Sequence, residues 1–241
     1  MTPLLSIEGV SKRFGGVRAI EDLSCEISPG EIVALIGPSG AGKTTLIDLI
    51  AGVLRPDAGA ITLAGKRIDN ARPHEIARRG IGRTFQNLRP FPALTVEENV
   101  IIGALGNASG LDEAVERAHQ PIWRLDLFEK LHRPASWLSL SDRRRLELAR
   151  ALAMRPNLLL LDEILAGLRP TEAGQVLASL REFNRTTGMT ILLAERTVGA
   201  APALASRVVV LHHGIAIADG TPEEVMRDPA IVESRLDAEA L

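Results

Sequence analysis

The chain has 241 residues, 46% hydrophobic and 24% charged, with a formal net charge of −2. This supplies a sizeable core for one large domain or two small ones, and the charge balance gives no general nucleic-acid footprint. No apolar run approaches the roughly 20 residues that span a bilayer, the start MTPLLSIEGV lacks the segments of a secretion signal, and the lone Cys25 excludes an internal disulfide or a multi-cysteine metal site.

In chain order, β-like runs are expected at residues 7–10, 32–36, 158–161, 190–194 and 208–211, separated by turns and helical stretches. That alternation predicts an α/β fold with a mostly parallel sheet. From about residue 88 to 155 the character changes to helices over 96–105, 111–119 and 142–154, punctuated by Pro90, Pro92, Pro121 and Pro134. The reading is a single domain over 1–241, with an α/β core from 1–87 and 155–241 and a helical subdomain, 88–154, inserted into it. Near the end, Thr221, Pro222 and Glu224 form a capping box that starts a terminal helix.

Directly behind the 32–36 strand stand Gly37, Pro38, Ser39, Gly40, Ala41, Gly42, Lys43 and Thr44, the pattern G-x-x-x-x-G-K-[ST], followed by Thr45 and the first turns of a helix. Glycines let the backbone aim several N–H groups at one point, where the helix N-terminus adds partial positive charge; that point suits a triphosphate. Lys43 is expected to reach the outer phosphates and the Thr44 hydroxyl to ligate Mg2+. The alternative is a glycine-rich turn with a solvated lysine, against which the strand, loop and helix order weighs.

Four leucines, 158–161, then make a strand buried on both faces, with Asp162 and Glu163 where it emerges at the sheet's carboxyl edge, the same edge as the phosphate loop. Asp162 suits a magnesium site reached through water, and Glu163 suits polarising the water that attacks the terminal phosphate. Taken alone, these are equally two acids closing a strand.

With both elements in place, the chain resembles the ATP-binding subunits of ABC transporters over nearly its whole length. The resemblance is greatest to the importers of branched-chain amino acids or urea-type solutes, through Arg83-Thr-Phe-Gln-Asn-Leu88, Phe91-Pro-Ala-Leu-Thr-Val-Glu-Glu-Asn-Val100, Ala166-Gly-Leu-Arg-Pro170 and Gly220-Thr-Pro-Glu-Glu224. It implies a P-loop NTPase (RecA-like) core with a parallel sheet, an antiparallel β region and an inserted α-helical subdomain. By the same resemblance Phe14 matches the aromatic that stacks on adenine, Gln86 the glutamine that touches magnesium and the attacking water, Ser139 a hydroxyl that contacts phosphate, and Ala166 to Leu168 a loop that crosses a dimer interface. On the residues alone, the alternatives are a core side chain for Phe14, a polar loop residue for Gln86 and a helix-ending turn for 166–168.

Two departures stand out. Where the family carries Leu-Ser-x-Gly-Gln, this chain has Leu138-Ser139-Leu140-Ser141-Asp142, replacing glycine by a side chain and glutamine by a negative charge beside a docking anion. Serine and aspartate are also helix caps that can fill the site from within. At the end of the 190–194 strand, Glu195-Arg196-Thr197 replaces the family's switch histidine with a guanidinium, which donates but cannot accept a hydrogen bond. None of the five histidines falls at that position. The run Arg143-Arg144-Arg145 reads as a solvated helix face or as partners for interface acids, not as a nucleic-acid patch, because no aromatic platform accompanies it.

The resemblance therefore implies an ATPase subunit that works with Mg2+, a second ATP-binding subunit, membrane permeases and, indirectly, a solute-binding protein, at the cytoplasmic face of the membrane and with no nucleic acid. Turnover is expected to be low or partner-dependent. The alternative is a regulatory or structural subunit that binds nucleotide and hydrolyses little.

Overall fold

The computed structural model describes residues 2–86, 88–196 and 204–228. In chain order the elements are β1 (Leu5–Phe14), β2 (Val17–Ile27), β3 (Ile32–Ile36), α1 (Lys43–Ile50), β4 (Ala58–Leu63), β5 (Lys66–Arg67), α2 (Pro73–Arg78), β6 (Ile81–Arg83), α3 (Val96–Leu105), α4 (Leu111–Arg124), α5 (Leu140–Ala153), β7 (Leu158–Asp162), α6 (Pro170–Thr187), β8 (Thr190–Glu195), β9 (Arg207–His212), β10 (Ile215–Gly220) and α7 (Pro222–Arg227). They fall into two compact units, residues 1–76 with 190–241 and residues 77–189.

The first unit carries an antiparallel sheet in the order β2-β1-β4-β5 and a mainly parallel set in the order β10-β9-β3-β8. Every residue of β3 is buried, because parallel partners flank it on both edges and elements cover both faces. β1 runs well past the expected residue 10 through a register shift at Gly9, whose φ of 58° admits the bulge. β2, unforeseen, has a partly exposed polar face, and β10, also unforeseen, exposes Ile215 and Ile217.

In the second unit β6 pairs parallel with β7. The helix α3 has the expected bounds, opened by a capping box between Thr95 and Glu98. Its buried Asn99 ties the preceding loop, accepting from the Phe91 N–H at 2.8 Å and donating to the carbonyls of Phe91 and Thr95 at 3.0 and 2.8 Å. α4 continues beyond residue 119 to Arg124, with Pro121 in its final turn, where a missing N–H removes a single helical bond. α5 starts two residues before expected, and its inward face contains Leu146, Ala149, Leu152 and Ala153 as anticipated. The capping box of α7 forms between Thr221 and Glu224. No helix among the described residues is long and apolar enough to cross a membrane.

Candidate functional site

In the first unit, the glycine loop joins β3 to α1. A Cβ at Gly37 would lie 2.1 Å from the Leu211 carbonyl oxygen, and one at Gly42, whose φ is 108°, would lie 2.4 Å from that of Ala19, so close backbone approach demands glycine at both. Ala41 is buried, while Ser39 and Gly40 stand exposed at the tip and Pro38 is half-buried. Lys43 is only 4% exposed, and its Nζ donates to the carbonyls of Gly37 at 2.6 Å and Pro38 at 3.0 Å, which draws the cation across the loop.

The start of α1 differs from three other helix starts in this chain. Thr95, Ser139 and Thr221 cap α3, α5 and α7 through their hydroxyls, whereas Gly42 at the start of α1 offers no side-chain acceptor. The positive end of α1, with Thr44 and Thr45 in its first turn, thus has no side-chain cap, as at Gly110 before α4.

Strand register adds a further charge on this side. β8 runs parallel to β3 with Ile36 beside Glu195, so the exposed Arg196 follows β8 at the level where Gly37 follows β3. Thr197 and Asn87, quoted above in motifs, lie outside the described residues. Phe14 sits at the β1–β2 hairpin opposite Val17, 47% exposed, with Lys12 Nζ 5.8 Å from its ring centroid. It is not a core residue, and its ring remains available for stacking.

In the second unit the carboxyl ends of β6 and β7 gather the acids and the glutamine. Thr84, fully buried, donates its N–H to the Leu160 carbonyl at 3.0 Å and accepts the Asp162 N–H on Oγ1 at 3.3 Å. Asp162 is 1% exposed. Glu163 follows in a left-handed backbone conformation, φ 48°, a strained state for a residue with a Cβ. Gln86 Nε2 donates to its Oε2 at 2.9 Å, and Arg144 Nη1 to its carbonyl at 3.0 Å. Thr84 and Arg144 were not anticipated, since only the folded register gives them these partners. Ala166, Gly167 and Leu168 lie in the turn that leaves β7, with Gly167 at φ 76°.

The start of α5 is closed from within. Ser139 is its N-cap, accepting the Asp142 N–H at 3.1 Å, and its own hydroxyl donates to Asp142 Oδ2 at 2.7 Å. Lys130 Nζ donates to the other carboxylate oxygen at 2.6 Å. The cap is therefore Ser139, with Ser141 inside the first turn. Lys130 is a third member of this cluster that no local pattern reveals.

Burial works against ionisation of Asp142, but Lys130 and Ser139 outweigh it and hold the carboxyl below its ordinary 3.8. A depressed carboxyl stabilises the fold above that value and loses its contribution as pH falls from 3.8 through the folded value. Asp142→Asn is therefore expected to be less stable than the parent at neutral pH, with the gap narrowing as pH falls below 3.8; urea midpoints on either side of that value measure it.

The three arginines are not a solvated face. Arg143 Nε reaches the Leu138 carbonyl at 3.0 Å, and Arg144 is buried against Glu163. Arg145, also buried, bonds Asp126 at 3.2 Å and Gln175 at 2.7 Å. Backbone carbonyls and side-chain oxygens of neighbouring elements supply the acceptors that water was expected to provide.

A family model described as ABC transporter matches residues 20–189. The chain belongs to the ABC transporter family. Within that family it is 38% identical to LivG of Salmonella typhimurium, a high-affinity branched-chain amino acid transport ATP-binding protein, over 97% of this chain and 98% of LivG. It is 34% identical to BraF of Pseudomonas aeruginosa, a protein of the same description, with the same coverage. Among solved structures, the ADP conformation of an ATP-binding cassette of an ABC transporter superposes with a TM-score of 0.87 at 31% identity, over 97% of this chain and 98% of that one. Membership makes this ABC cassette the ATP-binding, ATP-hydrolysing component of a transporter, and its core that of a P-loop NTPase.

Proposed function

We propose that this chain is the ATPase subunit of an importer of branched-chain amino acids or related solutes, pairing with a second ATP-binding subunit and with membrane permeases that hold it at the cytoplasmic face. The carrying observation is the α1 N-terminus, which lacks a side-chain cap behind a loop whose close approaches admit only glycine at two positions. In this reading Gly37 to Thr45 and Lys43 hold the phosphates, Phe14 stacks on the base, and Arg196 neutralises charge at the terminal phosphate. Thr44, Gln86 and Asp162 serve as oxygen donors to Mg2+, which when bound neutralises phosphate charge. Glu163, hydrogen-bonded to Gln86, positions and deprotonates the attacking water.

Among the described residues no group of three or more His, Cys, Asp or Glu forms a metal cage. Such donors fit magnesium, which uses one or two carboxylates together with phosphate oxygens and water. The helical insertion, near Gln86 to Val100, transmits closure to the permease as a two-state motion.

A second reading, a subunit that binds nucleotide and turns it over slowly, draws on the self-capped α5: the Ser139, Asp142 and Lys130 cluster occupies the N–H groups and positive charge that a partner's phosphate would need. Titration of the purified chain with Mg-ATP tests the binding common to both readings. Saturable binding is expected, with Phe14→Ala weakening it about fivefold through lost stacking and leaving the saturated rate unchanged. Absence of binding by the native chain would remove both readings.

A further inference from the structure

Two adjoining cavities within the 77–189 unit share Arg117, Arg155 and Asn157. The more enclosed one, about 230 Å3, has Pro121, Leu152, Pro156, Phe183 and Met189 in its wall. The more open one, about 510 Å3, adds Arg78, Arg79 and Asn107. Together they make a slot whose narrow part mixes this apolar wall with Gln120 and Thr187 and whose wide part is cationic.

Ordinary structural duties explain part of this lining. Asn107 Nδ2 donates to the carbonyls of Ala77 and Met154, at 3.2 and 3.4 Å, tying two helix ends. Arg117 uses Nε and Nη2 to hold Glu113.

Two features exceed those duties. Arg117 Nη1 makes no hydrogen bond among the described residues. Arg155 lies just past the C-cap of α5 with φ 50°, a left-handed position where glycine is usual and a side chain is strained. Among the described residues its guanidinium pairs only with the exposed Glu116 at 3.8 Å, a pair worth little in water. Strain retained at a half-exposed arginine that lines both cavities, together with a second lining guanidinium that has an unused donor, matches the forked recognition of a carboxylate.

We propose that the slot binds a small monocarboxylate with a branched aliphatic tail, its carboxylate held by Arg117 and Arg155 and its tail against Leu152, Phe183 and Met189. At ~30 Å3 for each water-sized group, the narrow part accommodates roughly eight heavy atoms, the size of 4-methylpentanoate or leucine. Inorganic phosphate satisfies the arginines and wastes the apolar wall. The inference is independent of nucleotide turnover.

Isothermal titration of the whole chain without nucleotide tests it, using 4-methylpentanoate, leucine, acetate and inorganic phosphate as probes. At least one of the first two is expected to bind saturably, acetate at least tenfold more weakly because its tail is missing. Leucine alone or 4-methylpentanoate alone identifies whether the ammonium group is accommodated, and either result supports the site. Arg155→Gly is the decisive variant: glycine relieves the left-handed strain, so the fold is kept, while binding should weaken about tenfold through loss of a charge-assisted hydrogen bond. The proposal is overturned by no saturable binding of either branched acid, by phosphate or acetate binding as tightly as they do, or by unchanged affinity in Arg155→Gly.

Discussion

Lys43→Ala is expected to lower Mg-ATP turnover by at least about a hundredfold, the scale for removing a preorganised charge from developing negative charge in a transition state. The side chain is 4% exposed and already gathered over the loop by the carbonyls of Gly37 and Pro38. It has little freedom to lose when a phosphate arrives, so its charge acts at low reorganisation cost. Alanine is the best helix former, and position 43 lies in the first turn of α1, so the helix itself should persist. Circular dichroism then separates a folded, inactive variant from a collapsed one. Turnover equal to that of the parent would remove Lys43 from the reaction.

The second large effect runs in the opposite direction. Combining Ser141→Gly, Asp142→Gln and Arg196→His is expected to raise turnover at least about tenfold in the presence of a partner cassette, because it restores close backbone approach, removes a repelling carboxylate and returns a side chain that accepts as well as donates a hydrogen bond. The Ser139, Asp142 and Lys130 cluster gives this prediction its mechanism, since Lys130 is bonded to Asp142 at 2.6 Å and is released from it when the carboxylate goes. Steady-state rates of parent and variant, each at concentrations that favour dimers, measure it. A parent rate already at the level of the variant would mean that these three residues do not limit hydrolysis and that an external phosphate opens the α5 start readily.

What could be read ahead of the structure follows from where each signal resides. β3, β7 and β8 are continuous apolar runs because both faces are buried, so composition alone revealed them. β2 carries exposed polar residues and resembles a loop in composition, β10 is an exposed strand with no buried residue, and β6 is only three residues long. The phosphate loop is a local chemical pattern and was fully legible. The surroundings of Glu163 were not: Thr84 is 78 residues before Asp162 in sequence, and Arg144 precedes Glu163 by 19. Sequence left the arginine run as a solvated helix face or as partners for interface acids; folding buries Arg144 and Arg145 and supplies oxygen acceptors from distant elements, Asp126 among them. Lys130 escaped notice for the same reason, as its partner sits in another helix.

The turn between β9 and β10 has the look of a surface hairpin that tolerates length changes, yet the Gly214 N–H donates to the Ala41 carbonyl at 2.9 Å and the Leu211 carbonyl presses on Gly37. The phosphate loop thus leans on a backstop more than 170 residues later in the chain. Side chains at His212 and His213 are at liberty to drift over evolutionary time, but an inserted residue there would push directly on the loop, which makes this hairpin a poor site for a tag, a permuted terminus or a grafted peptide.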